Sequence, residues 1–237
     1  ALAWLQLEDH GPRVAMGILR ARGEMGKWFG RDSMESDFLE QRGRRIAVEK
    51  YATLEAETRE AYEGFAAGVN RYIELNAAEF PVGFTPKFTG YDVAARDVGG
   101  ASIASARQFL NRISPPLDPR RGPPTGAPPA EGNDPWAVGR VDAVEEGSNA
   151  WAFAPSRTKS GRAILVRNPH LAWTAGYYEA HMTVPGVVDY YGDFRIGGPF
   201  GVIGGFNKDL GWATTNNAPD LDEVYALDVD PDVPDHY

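Results

Sequence analysis

A polar stretch ends in Gly147-Ser148 at the point where a strand of small and aromatic residues begins. The serine hydroxyl is a potential nucleophile, and a glycine before it tolerates strained backbone. Serine at the start of a strand is common, however, and by itself the motif favours a structural role. The residues that follow Ser148 change that interpretation.

Two further groups of polar residues lie at the ends of predicted strands. His170 is in the box Asn168-Pro169-His170-Leu171, directly after the second strand of a predicted hairpin. Farther along, Gly211-Trp212-Ala213-Thr214-Thr215 runs into Asn216 and Asn217. Acidic residues come next in the chain, at Asp220, Asp222 and Glu223. The joint pattern, rather than Ser148 alone, points to chemistry.

Other catalytic signatures are absent or misplaced. Ser156-Arg157-Thr158-Lys159 matches the Ser-x-x-Lys pattern of serine β-lactamases, but it falls in a predicted hairpin turn, where those enzymes have a helix start. The glycines from Gly198 to Gly205 lack the spacing of a dinucleotide site, and no helix is predicted after them. The absence of cysteine excludes thiol catalysis, thiolate metal sites and disulfides.

The elements that must position these residues change character along the chain. The first hundred residues carry apolar side chains mainly at helical spacing, and Gly11-Pro12 should interrupt the first helix. The clearest helix covers residues 54–75, with Thr53 as its N-cap. Further helical patterns cover residues 2–7, 14–22 and 101–113.

A proline-rich segment separates this helical part from a region of strands. Eight of the 18 prolines lie between Pro115 and Pro135, which predicts an exposed linker, either a simple hinge or a spacer to be cut or displaced. Beyond it a hairpin is predicted around Lys159-Ser160-Gly161, and a second turn at Asn207-Lys208-Asp209. The predicted strands cover residues 150–154, 163–166, 179–184, 187–191, 201–206 and 211–215.

Read in order, these motifs resemble the penicillin acylase family of N-terminal-nucleophile hydrolases. The matching elements are Gly147-Ser148-Asn149-Ala150-Trp151, the box around His170, and the strand that ends in Asn216 with its acidic tail. The helical part adds Phe65-Ala66-Ala67-Gly68-Val69-Asn70-Arg71-Tyr72-Ile73, which is similar to the family's Ala-Gly-Val-Asn helix. The resemblance spans nearly the whole chain and implies an α+β fold, an αββα sandwich that is only partly present here.

The resemblance implies a precursor that cuts itself between Gly147 and Ser148. Ser148 then supplies the nucleophile, and its freed amine supplies the base, because an α-amino group has a pKa of about 7.7–8.0. A backbone N–H at Asn216 or Asn217 would stabilise the oxyanion, and a second donor would lie beyond residue 237. His170 would orient or polarise the nucleophile, or else simply bond to the hairpin backbone. The resemblance assigns Asn149 and Trp151 to bracing the site.

The same resemblance implies a chain organisation and a set of partners. Residues 1–113 would form a helical α chain, 114–147 a linker that ends at the cut, and 148–237 the start of a β chain. No cofactor is needed for the chemistry, and a structural calcium ion is expected at Asp220, Asp222 and Glu223, although such acidic residues are commonly only solvated. Partners would be the rest of the β chain, in an α/β heterodimer, and a small acylated amide. The candidate residues for the pocket that binds the acyl group are Phe109, Trp173, Tyr177 and Phe200, each of which could equally belong to the core.

Composition limits the other function classes. A net charge of −9 disfavours binding to nucleic acid, and the longest weakly polar run, residues 197–206, is too short and glycine-rich to span a membrane. The chain starts without methionine, so we expect a fragment of a longer protein, exported to the periplasm or secreted as its relatives are. Two alternatives stay open: a non-catalytic secreted scaffold or binding domain on this fold, and a β-lactamase-like hydrolase that uses Ser156.

Overall fold

The computed structural model describes residues 1–98, 147–170, 177–215, 225 and 232–233. The chain divides into two compact units, residues 1–101 with 135–216, and residues 102–134 with 217–237. Every helix and strand considered below belongs to the first unit. None of its helices in the described ranges is both long and apolar enough to cross a membrane. The predicted helix over residues 101–113 lies outside the described residues.

The N-terminal part of the first unit is helical, as predicted. Its longest helix buries one stripe of large side chains, from Tyr62 to Ile73, against its neighbours. The described helices are α1 (Leu2–His10), α2 (Pro12–Arg22), α3 (Met25–Phe29), α4 (Met34–Lys50), α5 (Ala56–Leu75) and α6 (Gly90–Val98). Short 3₁₀ turns occur at Arg31–Ser33, Tyr51–Thr53 and Ala77–Glu79.

The break predicted at Gly11-Pro12 is confirmed, but the predicted cap of α5 is wrong. Gly11 has φ 50° between α1 and α2, a conformation that favours glycine, and Pro12 opens α2, where its missing N–H costs nothing. Thr53, in contrast, donates its hydroxyl to the carbonyl of Lys50 at 2.7 Å. Its hydroxyl serves the preceding turn, and α5 begins after Glu55 without a side-chain cap.

Antiparallel strands form the rest of the unit. Strands β1 (Gly147–Phe153) and β2 (Ile164–His170) form a two-stranded hairpin. A four-stranded sheet has the order β3-β4-β5-β6, and its strands are β3 (Tyr177–Val184), β4 (Val188–Arg195), β5 (Gly201–Phe206) and β6 (Gly211–Ala213). Both predicted turns are confirmed. The Asn207 side chain accepts hydrogen bonds from the backbone N–H groups of Asp209 and Leu210, as its residue type predicts.

The four-stranded sheet packs against the helices through one continuous core. Phe200 meets Tyr62 of α5 edge to face, with 5.1 Å between ring centroids, and Ile196 is buried in the same cluster. The fully buried Gln6 of α1 adds polar contacts to the turn after β4: it donates to the carbonyls of Arg195 and Gly198 and accepts from the N–H of Gly197. The turn between β4 and β5 is therefore fastened to the helices by both apolar and polar contacts.

Candidate active site

Ser148 is the second residue of strand β1 rather than part of a loop before that strand. β1 begins at Gly147, three residues earlier than the predicted strand start at residue 150, because Gly147 pairs with His170 across the hairpin. Ser148 is half-buried, and its hydroxyl donates a hydrogen bond to the carbonyl oxygen of Gly147 at 2.5 Å. The serine oxygen therefore sits beside the peptide group that the predicted self-cleavage would break.

His170 is close to Gly147 but faces away from the Ser148 hydroxyl. Gly147 pairs with His170 and Ser148 pairs with Pro169, and neighbouring residues of a strand point to opposite faces. A side-chain carbon placed on Gly147 would lie 3.2 Å from Nδ1 of His170, so glycine permits the imidazole to approach the backbone. The structure thus brings the predicted imidazole to the predicted cleavage site, on the face opposite the nucleophile.

Two asparagines hold the imidazole ring in place. Asn149 and Asn168 direct their side-chain nitrogens at Nε2 of His170, at 3.1 and 3.3 Å. An amide nitrogen only donates, so with the amides in this orientation Nε2 is the acceptor that they share, while Nδ1 is the ring nitrogen next to Gly147. Asn149 was predicted to brace the site, and this contact is consistent with that role. Asn168 was named only as part of the motif around His170, with no role of its own. Its position two residues before His170 on the same strand could have identified it as a neighbour of the ring.

The face of the hairpin that carries the Ser148 side chain is directed toward the four-stranded sheet. Leu165 and Arg167 share this face with Ser148, and a carbon placed on Gly211 would lie 3.3 Å from Leu165. Arg167 forms a buried ion pair with Asp193 of β4. A cavity of about 290 Å³ lies beside this pair, with Glu179, Tyr191 and Phe206 among its lining residues. Arg167 and Asp193 were not singled out from the sequence. Strand alternation from Ser148 would have identified Arg167, whereas nothing local identifies Asp193.

The predicted acyl-pocket residues do not gather in one place among the described residues. Phe200 packs on α5, where an apolar cavity of about 460 Å³ also includes Tyr190, Trp212 and Phe65. Tyr177 is half-buried at the start of β3. Phe109 and Trp173 lie outside the described residues. Trp151 is 47% exposed, on the face of the hairpin that carries His170.

The predicted oxyanion and calcium residues, Asn216, Asn217, Asp220, Asp222 and Glu223, all lie outside the described residues. Thr214, two residues before Asn216, is well anchored, because its backbone N–H and its hydroxyl both donate to the carbonyl of Ile203 on β5. Within the described ranges, no group of three or more His, Asp or Glu side chains is placed to hold a metal ion.

The Ser-x-x-Lys motif does not form the helix start that a β-lactamase nucleophile needs. Ser156 lies in a 3₁₀ turn, Pro155–Arg157, and its side chain is exposed. The hydroxyl of the neighbouring Thr158 lies 2.7 Å from the carbonyl oxygen of Arg162 and 3.1 Å from that of Pro155, and it closes the hairpin loop by donating its one proton to one of them at a time. The segment therefore acts as a turn, as the sequence predicted.

Known proteins similar to this chain are named acylases. The acyl-homoserine lactone acylase PvdQ of Pseudomonas fluorescens (strain Pf0-1) is 29% identical over 270 residues, covering 100% of this chain and 32% of the relative. Aculeacin-A acylase of Actinoplanes utahensis is 24% identical, over 90% of this chain and 30% of the relative. Penicillin acylase 2 proenzyme of Pseudomonas sp. (strain SE83) is 27% identical, over 79% and 31%.

The chain spans about a third of the length of these curated relatives. The model of the family described as penicillin amidase matches residues 1–237, which is the whole chain, and this match includes the Gly147-Ser148 site and the strands around it. The chain therefore belongs to the penicillin amidase family.

Proposed function

We propose that this chain is the nucleophile-bearing part of an amidohydrolase that is made as a precursor and cuts itself between Gly147 and Ser148. The observation that carries the proposal is the 2.5 Å hydrogen bond from the Ser148 hydroxyl to the Gly147 carbonyl oxygen, in a chain whose whole length matches the family. The word proenzyme in the name of one relative is consistent with processing of this kind.

The cut starts at the bond between the Gly147 carbonyl carbon and the Ser148 nitrogen. Oγ of Ser148 bonds to that carbon, the carbon–nitrogen bond breaks, and the hydroxyl proton passes to the nitrogen, which leaves an ester and a free amine. Water then hydrolyses the ester, releasing a carboxylate at Gly147 and restoring the Ser148 hydroxyl. Before the cut the nitrogen is an amide and cannot act as a base. Afterwards it is an amine with an ordinary pKa of about 7.7–8.0.

The same two groups then hydrolyse an external amide. The amine accepts the hydroxyl proton while Oγ attacks the substrate carbonyl, and the proton passes on to the leaving amine. Water releases the acyl group from the serine ester. Developing charge on the carbonyl oxygen needs fixed donors, and a backbone N–H at Asn216 or Asn217 is the proposed one within this chain. His170, held by Asn149, is proposed to orient the group next to it rather than to replace the amine as base.

The proposed substrate is a small acylated amide. The three relatives are named for an acyl-homoserine lactone, aculeacin A and penicillin, and each of these names describes acyl chemistry. The cavity of about 290 Å³ on the nucleophile's side of the four-stranded sheet is the place for such a substrate that the described residues offer. Its walls combine the apolar side chains of Phe206 and Trp212 with the polar side chains of Glu179 and Tyr191, which suits a group that carries both an acyl chain and an amide.

Further parts of the proposal rest on the family likeness. The mature enzyme would be an α/β heterodimer with an αββα sandwich, completed by the rest of its β chain, in the periplasm or secreted. A calcium ion at Asp220, Asp222 and Glu223 would be structural, because hard carboxylate oxygens suit Ca²⁺. It would take no part in the reaction steps.

The test is intact-mass analysis and N-terminal sequencing of the full-length protein. The wild type should give a chain that begins Ser-Asn-Ala-Trp, and Ser148→Ala should stay as one chain and fail to hydrolyse acyl amides. Ser156→Ala is the matched control, because it removes an exposed serine of the same hairpin and should be processed like the wild type. A wild type that stays uncut and inactive overturns the proposal and favours a non-catalytic binding domain. A β-lactam adduct on Ser156 would favour the β-lactamase-like alternative.

A further inference from the structure

The hairpin that carries Ser148 has few apolar anchors. Much of its apolar surface is exposed, including Phe153, Ile164 and Val166. Its contact with the four-stranded sheet runs through β2 and β6 and through the face that holds Leu165 and Arg167. The position of Ser148 over that sheet therefore depends on a small number of side chains.

The Arg167–Asp193 ion pair is the polar part of this contact, and it is buried. The side chains are 21% and 10% exposed, and the atoms that pair are Nη1 of Arg167 and Oδ2 of Asp193. Both atoms are buried and have no hydrogen-bond partner among the described residues, so the ion pair is what compensates their charges there. A guanidinium and a carboxylate out of water are strongly unfavourable unless they meet, so the pair defines one relative placement of the two strands.

Strands β4 and β5 are irregular at this pair. Their register shifts between Gly192 and Phe194, where Asp193 alone lies opposite residues 202–204, so the bulge is in β5. On β5, Gly204 leaves the room that the arginine needs, since a carbon placed there would lie 2.7 Å from Nη1 of Arg167. A bulge and a glycine thus coincide at one ion pair.

The pair is also coupled to the nucleophile through the hairpin. Arg167 lies opposite Ala150, and the next residue pair on the same face is Pro169 with Ser148. A shift of Arg167 relative to the sheet would move Ser148 with it, because the two are joined through one regular antiparallel ladder.

We propose that Arg167 and Asp193 are positioning residues that fix the nucleophile hairpin over the four-stranded sheet, both for self-cleavage and for amide hydrolysis. This inference rests on the proposed function. Neither residue contacts the reacting atoms in the structure, so the effect acts through the placement of Ser148. Misplacement of a reacting group by about 1 Å can cost about 100-fold in rate.

The test uses the full-length protein with the double variant Arg167→Met/Asp193→Leu. Replacing a whole buried ion pair by apolar residues is often neutral for stability, so this variant should fold even where a single replacement would not. We expect its melting temperature to stay close to that of the wild type, while self-cleavage slows at least about tenfold. After prolonged incubation to complete the cut, hydrolysis of a fatty-acyl p-nitroanilide should lose kcat with little change in KM. Arg167→Lys, which keeps the charge, should recover part of the rate.

Leu165→Ala is the matched control, because it weakens the same hairpin face without touching the ion pair. We expect it to lower the melting temperature and to change the cleavage rate by no more than about twofold. Equal slowing by Leu165→Ala and the double variant would show a merely structural role and overturn the inference. A double variant that cleaves as fast as the wild type would overturn it as well.

Hydrogen exchange keeps the two proposals separable. In the Ser148→Ala background, where no cut occurs, the double variant should raise amide exchange in residues 147–170 and leave β3 unchanged. Unchanged exchange in 147–170 overturns the inference whether or not the wild type cuts itself. An uncut and inactive wild type, with exchange raised as expected, overturns the proposed function and leaves the positioning contact established.

Discussion

The side chains of Ser148 and His170 lie on opposite faces of the β1–β2 hairpin, although their strands are paired directly. The register pairs His170 with Gly147, and the ring is held at Nε2 by the side chains of Asn149 and Asn168. The imidazole is therefore a neighbour of the glycine on one side of the predicted cut, and the hydroxyl lies on the other face. In the uncut chain, the His170 ring faces the backbone of Gly147 rather than the Ser148 hydroxyl.

The contact between Asn149 and His170 should matter to self-cleavage as one unit. We expect Asn149→Ala and His170→Ala each to slow the cut by about fivefold, the equivalent of one hydrogen bond of about 1 kcal/mol. The double variant should be no slower than His170→Ala, because the second change removes a contact already lost. Cleavage half-times from intact-mass series measure the three rates. Strictly additive effects would show that the two side chains act independently.

The turns could be predicted from the sequence because they depend on neighbouring residues. Gly11-Pro12 and Asn207-Lys208-Asp209 carry their own backbone preferences, and both reversals occur where those preferences predict. The hairpin around Lys159-Ser160-Gly161 is confirmed for the same reason, with Gly161 at φ 66°. These features need no information from distant parts of the chain.

Helix α4 shows why other elements could not be located. Its buried positions are Asp37, Gly43 and Ala47, so it has no stripe of large apolar residues to give a helical pattern. Asp37 is buried because its carboxylate accepts hydrogen bonds from the N–H groups of Met25 and Gly26, both at 2.6 Å. These hydrogen bonds satisfy two backbone N–H groups at the start of α3, and only the folded chain reveals them.

The candidate site also has a part that the sequence predicts and a part that it does not. Ser148 and His170 were identified from sequence motifs, and their joint position at one end of the hairpin follows from strand pairing. The face on which each side chain lies depends on the register, and the partner of Arg167 is Asp193, 26 residues away in sequence, at a register shift between β4 and β5. Interactions of that kind are set by tertiary packing rather than by local pattern.

Gln6 should be one of the most costly polar residues to replace. Gln6→Leu would leave the carbonyl of Gly198 and the N–H of Gly197 without their side-chain partner, whereas the carbonyl of Arg195 still accepts from the N–H of Gly198. An unsatisfied buried group costs about 1–3 kcal/mol, so we expect the free energy of unfolding to fall by about 2 kcal/mol or more. Urea denaturation in the Ser148→Ala background measures it on a single chain.

Gln41→Leu is the control for this substitution, because Gln41 is an exposed glutamine of α4 and its loss should change stability by about 0.5 kcal/mol or less. Similar losses for the two variants would contradict the role given to Gln6. In processed protein the same contact would join the two chains, so Gln6→Leu should let them separate at a lower urea concentration.

Alkaline pH should destabilise the helical part through Tyr51. Burial, together with its hydrogen bond to the Glu63 carboxylate and the charge of that group, raises the pKa of Tyr51 to about 12. An unfolded tyrosine has a pKa of about 10, so between about pH 10 and about pH 12 the unfolded state has lost a proton that the folded state keeps. The free energy of unfolding must then decrease as the pH rises through this range.

Tyr51→Phe removes that titration. We expect the variant to be less stable than the wild type near pH 8, by about 1 kcal/mol for the lost hydrogen bond. Its stability should then decrease less steeply from about pH 10 upwards. Denaturation curves at a series of pH values test both expectations. Equal slopes for the wild type and Tyr51→Phe would show that Tyr51 is not the group that titrates.

Tyr190 lies flat across a row of glycines, and these glycines should not tolerate side chains. Its ring stacks on Trp212, with 5.2 Å between centroids, and its buried hydroxyl donates to the carbonyl of Gly204. A carbon placed on Gly201 would collide with the Tyr190 ring and hydroxyl, which supply its three nearest atoms. We therefore expect Gly201→Ala to lower the free energy of unfolding by about 1–3 kcal/mol, the cost of overpacking.

Gly64→Ala is the matched control for this last substitution. A carbon on Gly64 meets no atom within 4 Å, and the residue is inside α5, so alanine should stabilise the protein by about 0.5–1 kcal/mol. Combining Gly201→Ala with Tyr190→Leu should cost less than the sum of the two single changes, because the smaller side chain removes the collision. Additive losses, measured by urea denaturation in the Ser148→Ala background, would mean that Tyr190 does not need the glycine at 201.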